Sequence, residues 1–207
     1  MYYKKWYYYF RSALSEKFCD DIVSRAMDDN PIQARIGGHS IIIPRSESEE
    51  KELHKKRNSN ILWLNEVWIK KELEYYVHRA NKLAGWNFDI VDSEPCQFTI
   101  YNEGQYYGWH TDSSGVYYEA RSKNGLIRKL SVTVSLSHPH EYEGGTLEFD
   151  TRAQDNPDSK SEIIRCREIL PKGSICVFPS YTYHRVSPVT KGRRLSLVQW
   201  NLGPEWR

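Results

Sequence analysis

The second half of this sequence is a succession of short segments that have the composition of β-strands. From residue 95 to residue 201, stretches rich in β-branched and aromatic residues alternate with clusters of Gly, Pro, Asn or Asp, as in strands joined by turns. The segments are PCQFTIYN, KLSVTVSLS, GGTLEFD, SEIIRCREIL, GSICVFP and RRLSLVQWN. A run of about six to eight such strands favours an antiparallel double sheet.

Two helices are expected before these strands. A short strand in YYYF precedes a helical segment for which Ser15 is a suitable N-cap. The apolar residues of this segment recur at spacings of three and four, at Phe18, Cys19, Ile22, Val23 and Ala26. A second helix is predicted from Leu64 or Asn65 to Leu83, before Gly85, with one face formed by Val67, Trp68, Lys71, Tyr75, Tyr76 and Ala80. The chain is therefore predicted to be α+β, with N-terminal helices buttressing one face of the double sheet.

Length and composition indicate one ordered globular domain. We expect a single domain over residues 1–207, with helical support over about residues 1–90 and a strand core over about residues 95–202. The net charge of +2 creates no field that would attract nucleic acid. The basic run HKKR at 54–57 is predicted to be solvated, because neighbouring acidic residues offset it. It ends a Gly-, Ser- and charge-rich stretch, 37–57, which is expected to be an edge segment able to close over a substrate.

The cysteines and the apolar runs bear on where the protein is found. Cys19, Cys96, Cys166 and Cys176 lack CxxC spacing, which predicts reduced, buried thiols and not a disulfide framework or a zinc cluster. No apolar run approaches the length of a transmembrane helix, and the aromatic start MYYKKWYYYF is unlike a secretory signal. The expectation is a cytoplasmic protein that has no membrane partner.

His110, Thr111 and Asp112 form an HxD triplet that has the pattern of a metal site. On an extended strand the first and third side chains point to the same face, so His110 and Asp112 can bind one ion. With His184 they would make a facial set of two histidines and one carboxylate, which leaves about three coordination positions open and suits non-haem Fe(II) oxygenases. An HxD triplet alone is a weak signal, since it also occurs in turns. His138 and His140 form a second histidine pair, for which surface turn positions are expected.

Arg194 lies ten residues after His184 and can bind a carboxylate through its rigid, permanently charged fork. Alternation along RRLSLVQWN places Ser196 on the same face as Arg194 and turns Arg193 to the opposite side. A register error of one residue would exchange the two arginines. In KLSVTVSLS, the alternation of apolar and hydroxylated residues predicts one core face and one face that lines a cavity.

Three stretches resemble the iron- and 2-oxoglutarate-dependent dioxygenases. They are YNEGQYYGWHTD, RKLSVTVSLS followed by EGGTLEF, and KGSICVFPSYTYHRVSPVTKGRRLSLVQW, which together cover about residues 98–200. A weaker likeness extends back through RNSNILWL at 57–64. The likeness is to the prolyl-4-hydroxylase-like branch, which includes bacterial and phage PKHD-type hydroxylases. It implies a double-stranded β-helix, or jelly-roll, core and the use of Fe(II), 2-oxoglutarate and O2.

The resemblance also implies roles for particular residues. His110, Asp112 and His184 would bind the iron, and Arg194 would anchor the far carboxylate of 2-oxoglutarate. The residues implied to assist Arg194 are Ser196, Tyr101, and either Thr133 or Ser135. Tyr107 and Trp109 flank an iron ligand and are expected to contact substrate. The stretch SSGVYYEARSKNGL at 113–126 is a candidate lid.

The implied reaction is hydroxylation of an unactivated C–H bond, with a prolyl residue of a peptide or protein as the leading substrate. A free amino acid or another small molecule fits the same aromatic surroundings, which include Tyr106, Tyr117 and Tyr118. A nucleic-acid dealkylase of the same superfamily and a non-enzymatic jelly-roll binding module are the remaining alternatives. The first would be expected to have a more basic surface, and the second would have no need for the metal set and the arginine together.

Overall fold

A computed structural model describes residues 5–28, 56–113, 125–151 and 162–205, together with the backbone of 32–33. The predicted edge segment at 37–57 lies outside the described residues except at its end. The candidate lid lies outside them over 114–124, which includes Tyr117 and Tyr118. That residues 1–207 form one domain stays a prediction.

The described residues contain two helices, both where the sequence predicts them. Helix α1 is Glu16–Met27, and the side chain of its N-cap Ser15 accepts a hydrogen bond from the backbone N–H of Phe18 at 3.2 Å. Helix α2 is Val67–Leu83. Within the described parts of the chain, neither helix is long and apolar enough to cross a lipid bilayer.

The same residues form fifteen strands. In chain order they are β1 (Tyr8–Phe10), β2 (Ile32–Gln33), β3 (Arg57–Asn58), β4 (Asn60–Leu64), β5 (Asp92–Ser93), β6 (Cys96–Tyr101), β7 (Tyr106–His110), β8 (Leu126–Ser135), β9 (Tyr142–Gly144), β10 (Leu147–Asp150), β11 (Ile163–Arg165), β12 (Ile175–Pro179), β13 (His184–Val186), β14 (Val189–Gly192) and β15 (Arg194–Pro204). Each of the six segments singled out in the sequence overlaps at least one of them.

Two antiparallel sheets make up the jelly-roll core. The larger has the order β1-β12-β8-β15-β6-β4-β2, with β5 paired to β15, and the smaller has the order β11-β10-β13-β7-β3. Strands β14 and β9 form a separate pair. Most neighbours in these sheets are not consecutive in sequence, as in a jelly roll. The predicted α+β jelly roll with supporting N-terminal helices is confirmed.

The larger sheet has a different environment on each face. On one side, Leu130, Val132 and Val134 of β8 join the helices in the main hydrophobic core. On the other, Ser131, Thr133 and Ser135 are buried and point toward the smaller sheet. The alternation predicted for KLSVTVSLS is therefore present, and its hydroxylated face lines the space between the sheets.

Helix α2 buries only part of the predicted face, since Ala80 is buried and Tyr76 packs against the core while the other members point outward. Val67, Trp68 and Tyr75 are 63%, 40% and 56% exposed. The buried side chains are Ile69, Leu73, Val77, Ala80 and Asn81. The branched aliphatic residues at spacings of three and four are the ones that pack on the apolar side of the larger sheet, while the exposed aromatic residues keep part of their rings in water.

Candidate active site

Strand pairing in the smaller sheet brings the two predicted histidine ligands together. His184 of β13 lies opposite His110 of β7, and their ring centroids are 4.2 Å apart. Val186, two residues after His184 on β13, is opposite Tyr107, which is three residues before His110 on β7. Strand β7 therefore contains one extra residue, a bulge, between these two pairs. This bulge turns both Tyr107 and His110 inward, and their rings stack with centroids 3.6 Å apart.

Asp112 completes a cluster of three potential metal ligands. It lies two residues beyond the end of β7, and its backbone N–H donates to the carbonyl of Ser180 at 2.8 Å. One carboxylate oxygen is 3.5 Å from Nε2 of His110, and the other is 3.5 Å from Nε2 of His184. One atom from each of the three residues lies within 4.8 Å of the other two. His110 and Asp112 thus face the same point, as the HxD spacing predicts, although Asp112 is not part of the strand.

Backbone hydrogen bonds orient both imidazole rings. Nδ1 of His110 lies 2.8 Å from the carbonyl oxygen of Gly108, and Nδ1 of His184 lies 2.8 Å from that of Thr182. A carbonyl oxygen only accepts hydrogen bonds, so each Nδ1 bears a proton, and in the neutral ring Nε2 is the atom that keeps a lone pair. This is the tautomer that a metal-binding histidine needs.

The charges in the cluster also suit a cation. Burial and the neighbouring His110 lower the pKa of His184 to about 4, so this ring is neutral at pH 7. Burial tends to raise the pKa of Asp112, but the nearby His184, His110 and Arg128 outweigh that effect and hold the pKa well below its usual range. Imidazole nitrogens together with an ionised carboxylate are a ligand set for Fe(II) and similar divalent ions.

The lowered pKa of His184 predicts how the metal-free protein responds to acid. The unfolded chain takes up a proton on this residue near pH 6.5, whereas the folded chain does so only near pH 4. Stability therefore falls as the pH drops through this window, by about 2 kcal/mol between pH 7 and pH 5. Urea unfolding at the two pH values measures the loss, and a His184→Gln variant should show a smaller one. Equal losses in both proteins would contradict the assignment.

The carboxylate of Asp112 is tied to the larger sheet through Ser131. The Ser131 hydroxyl donates to Oδ2 of Asp112 at 2.7 Å and also lies 2.9 Å from the hydroxyl of Ser180. Arg128 approaches the backbone carbonyl of Asp112 at 3.4 Å, and a bidentate pair with the buried Glu94 holds its guanidinium in place. These contacts fix the carboxylate at a position between the two sheets.

Removing the Ser131 hydroxyl should weaken metal binding without removing a ligand. A partner that orients a metal-binding carboxylate typically contributes 10- to 100-fold in affinity. We expect Ser131→Ala to raise the dissociation constant for Fe(II) or Mn(II) by about tenfold. Isothermal titration under anaerobic conditions measures this change. An affinity equal to that of the unaltered protein would show that the hydroxyl does not position Asp112.

Arg194 lies inside the protein and Arg193 lies outside. Arg194 is 3% exposed, and its Nη1 donates to the hydroxyl of Ser196 at 3.2 Å. Its guanidinium is 5.4 Å from the ring centroid of Tyr101, the residue opposite it on β6. Among the described residues, no carboxylate forms an ion pair with Arg194. A buried guanidinium without an anionic partner is costly, so this side chain is suited to bind an anion from outside the chain.

Gly145 makes room for this arginine. A Cβ atom at this position would lie 2.8 Å from Cδ of Arg194 and 3.0 Å from Cγ2 of Val189, and the backbone has a φ of +57°. The position therefore excludes a side chain both sterically and conformationally. The close approach of Arg194 therefore explains why the second of the two adjacent residues in EGGTLEF is also a glycine.

The other residues implied for the co-substrate line the same inner face. Ser135 pairs with Ser196, and Thr133 pairs with Val198, so both hydroxyl-bearing residues neighbour the strand of Arg194. Thr99, opposite Ser196 on β6, has a buried hydroxyl oxygen for which the described part of the chain provides no hydrogen-bond partner. This unpaired group, which the sequence did not single out, is a further candidate to contact a polar ligand.

The two residues predicted to contact substrate lie in different places. Tyr107 stacks on His110 inside the site. Trp109 stacks on Tyr183 with centroids 5.4 Å apart, and the guanidinium of Arg185 lies 4.7 Å from its ring. The structure brings Trp109 together with these two residues and not with the metal ligands. Its contact with substrate stays a prediction.

The burial of Arg57 contradicts the prediction that the whole run HKKR is solvated. It is 5% exposed and donates to Ser59 Oγ at 3.0 Å and to Gln97 Oε1 at 2.6 Å. Its guanidinium also lies 4.5 Å from the ring centroid of Tyr107. It belongs to the wall of the site. The sequence feature that could have indicated this role is the position of Arg57 at the start of RNSNILWL, the weaker part of the family likeness. Its membership of a basic run indicated the opposite.

About half of this chain is similar to curated bacterial proteins. The chain is 36% identical to a PKHD-type hydroxylase of Shewanella frigidimarina over 107 residues, 51% of this chain and 42% of that protein. It is 38% identical to a PKHD-type hydroxylase of Hyphomonas neptunium over 98 residues, 47% of this chain and 38% of that protein. The matched part thus spans less than half the length of these curated relatives.

Solved structures show the same fold at low sequence identity. A viral collagen prolyl hydroxylase from Paramecium Bursaria Chlorella virus-1 aligns with a TM-score of 0.63 and 21% identity over 96% of this chain and 97% of its own. A Pseudomonas putida prolyl-4-hydroxylase aligns with a TM-score of 0.59 and 18% identity over 98% and 94%. The family model of the 2OG-Fe(II) oxygenase superfamily matches residues 96–201, which contain every ligand of the cluster and Arg194. Since that match covers just over half of the chain, the protein belongs to the 2OG-Fe(II) oxygenase superfamily.

Proposed function

We propose that this protein is an Fe(II)- and 2-oxoglutarate-dependent dioxygenase that hydroxylates a prolyl residue in a peptide or protein. The family uses Fe(II), 2-oxoglutarate and O2. The observation that supports the proposal most is the joint presence of the His110, Asp112 and His184 cluster and a buried arginine that has no anionic partner among the described residues. A metal site alone would not need Arg194, and an anion site alone would not need the cluster.

Strand β8 relates the two halves of the proposed site. At one end of its inner face, Ser131 bonds to Asp112, and at the other, Ser135 lies opposite Ser196, the partner of Arg194. The two positions are four residues apart, roughly 13 Å along a strand. Nη1 of Arg194 lies 3.2 Å from Ser196 Oγ, at the Ser135 end of this face. Thr133 lies midway and faces the same space.

The residues of the proposed site then fall into three groups by role. His110, Asp112 and His184 would hold the iron, and Arg194 would bind the far carboxylate of 2-oxoglutarate with help from Ser196. Tyr101, Thr133 and Ser135 would line the co-substrate. Iron bound there supplies the oxidative chemistry, in which 2-oxoglutarate and O2 yield succinate, CO2 and a hydroxylated product. The two sheets exclude bulk water, which strengthens the charge interactions of Arg194 and Asp112.

The choice of a prolyl substrate is supported by similarity and by the aromatic surroundings. A prolyl hydroxylase from Trichoplax adhaerens, solved with a hypoxia inducible factor peptide fragment, aligns with a TM-score of 0.65 and 15% identity. The PKHD-type relatives and the other prolyl hydroxylases agree with this choice. Tyr107 places an aromatic ring against the metal ligand His110. A cytoplasmic location stays a prediction.

Succinate release with different substrates tests the proposal. Metal-defined protein is supplied with Fe(II), 2-oxoglutarate and either proline-containing peptides, free amino acids or alkylated oligonucleotides. We expect peptides to stimulate succinate release, with a mass gain of one oxygen on proline. Stimulation by free amino acids or by oligonucleotides would replace the prolyl assignment with one of those substrates. Failure to form succinate under any condition would contradict the dioxygenase itself and favour a binding module.

A further inference from the structure

Two of the four cysteines touch each other in the space between the sheets. The sulfur atoms of Cys166 and Cys176 are 3.9 Å apart, and the two residues are 1% and 0% exposed. Both belong to the hydrophobic cluster that also contains Phe149 and Phe178. Cys19 and Cys96 are buried in the other cluster, on the helix side of the larger sheet.

The two thiols belong to opposite walls of the jelly roll. Cys176 lies on β12 of the larger sheet, between Tyr9 of β1 and Thr133 of β8. Cys166 directly follows β11 of the smaller sheet, and its backbone N–H donates to the carbonyl of Leu147 in β10. A covalent bond between the sulfurs would therefore connect the two sheets to each other.

We propose that Cys166 and Cys176 are an oxidation site that forms an intramolecular disulfide and staples the two sheets together. The sulfurs are already in van der Waals contact, and a disulfide requires them to approach to about 2.05 Å. Side-chain rotation at one or both cysteines covers a movement of about 2 Å. Only ten positions separate the two cysteines in sequence, and local backbone hydrogen bonds from Leu170 to Arg167 and from Ser174 to Pro171 order the intervening turn.

The reaction consumes one equivalent of a peroxide. One thiolate attacks the peroxide O–O bond and becomes a sulfenic acid, while the leaving oxygen takes up a proton to become water or an alcohol. The second thiolate then displaces water from the sulfenic sulfur. In total, two thiols lose two electrons and two protons, and the peroxide is reduced by the same two electrons.

Burial makes the pair slow to react but not inaccessible. Burial, together with Cys166 and Glu168, raises the pKa of the Cys176 thiol, so little thiolate is present at neutral pH. Tyr7, whose hydroxyl interacts electrostatically with both sulfurs, also lines a surface cavity of about 470 Å³ with Trp6, Tyr9 and Ile164. The side chain of Tyr7 thus lies between the cysteine pair and a space that a small peroxide can enter.

The full chain, treated with hydrogen peroxide and then unfolded in an alkylating agent, provides the test. We expect two alkylated cysteines in place of four, a mass lower by two hydrogens, a cross-linked peptide joining Cys166 to Cys176, and full reversal by dithiothreitol. The unfolding midpoint should rise by about 5 °C, since a loop of this length is closed in the unfolded state.

Two variants make the result specific. Cys166→Ser should prevent the cross-link, whereas the double variant Cys19→Ser, Cys96→Ser should retain it. Alkylation of all four cysteines after peroxide treatment would overturn the proposal, and so would a cross-link that involves Cys19 or Cys96. This outcome is independent of enzymatic activity, so it does not depend on the proposed dioxygenase function.

Discussion

An Asp112→Ala variant should lose Fe(II)-dependent turnover by more than about 1,000-fold, since removal of a ligand exceeds the 10- to 100-fold cost of removing a residue that only orients one. The loss corresponds to at least about 4 kcal/mol of transition-state stabilisation. Asp112 supplies the only negative charge in the cluster, and its carboxylate lies 3.5 Å from Nε2 of both histidines. Without it, two neutral imidazoles would have to retain a divalent ion. His110→Ala should have an effect of the same order.

The second histidine pair provides a matched control for these substitutions. His138 and His140 stack with ring centroids 5.3 Å apart in the turn before β9, but they do not belong to the cluster of metal ligands found among the described residues. His140→Ala should therefore leave succinate formation unchanged, whereas His110→Ala removes it. The opposite pattern, or retained succinate formation in metal-defined Asp112→Ala protein, would show that the metal is bound elsewhere.

An Arg194→Met variant should raise the KM for 2-oxoglutarate by about 100-fold, because a charge-assisted bidentate contact in a buried site is worth about 2 to 3 kcal/mol. The methionine keeps much of the aliphatic volume beside Gly145 and removes the charge. At saturating 2-oxoglutarate, kcat should change much less than KM, since the metal ligands are intact. Steady-state kinetics over a wide range of 2-oxoglutarate concentration separates the two parameters.

Arg193 is the control that the chain itself offers for this experiment. It is adjacent in sequence but exposed, and its Nε donates to Asn102 Oδ1 at 3.0 Å. Arg193→Met should leave the KM for 2-oxoglutarate within about twofold of the starting value, as expected for a surface change. If Arg193→Met raised the KM and Arg194→Met did not, the roles of the two arginines would be exchanged.

Strict alternation explains why the strand core could be predicted from the sequence. Apolar and hydroxylated residues alternate through KLSVTVSLS, and polar and apolar residues alternate from Arg194 to Leu197 in RRLSLVQWN, so the sequence alone separates the helix-facing side from the side that faces the smaller sheet. Arg194 and Ser196 follow directly from that period of two. The same argument places His110 and Asp112 on one side. These features depend on local geometry, which the order of residues specifies.

Features that depend on tertiary contacts were predicted less well. The bulge in β7 brings Tyr107 to the face of His110, against the simple alternation of a strand. Arg57 is buried because β3 pairs with β7 and brings Gln97 and Tyr107 within its reach, contacts that its charged neighbours in sequence do not reveal. Helix α2 turns its branched aliphatic residues to the sheet and leaves Trp68 and Tyr75 half exposed. Each difference arises from a partner that is distant in sequence.

The convergence of His110, Asp112 and His184 on one ion beside Arg194 is tested most directly by anaerobic titration of the protein with Fe(II) and 2-oxoglutarate. We predict a visible charge-transfer band that saturates at one equivalent of iron, requires 2-oxoglutarate, is absent in Asp112→Ala and needs about 100-fold more 2-oxoglutarate in Arg194→Met. A band of full intensity in Asp112→Ala, or no band in the unaltered protein loaded with iron and co-substrate, would contradict the site.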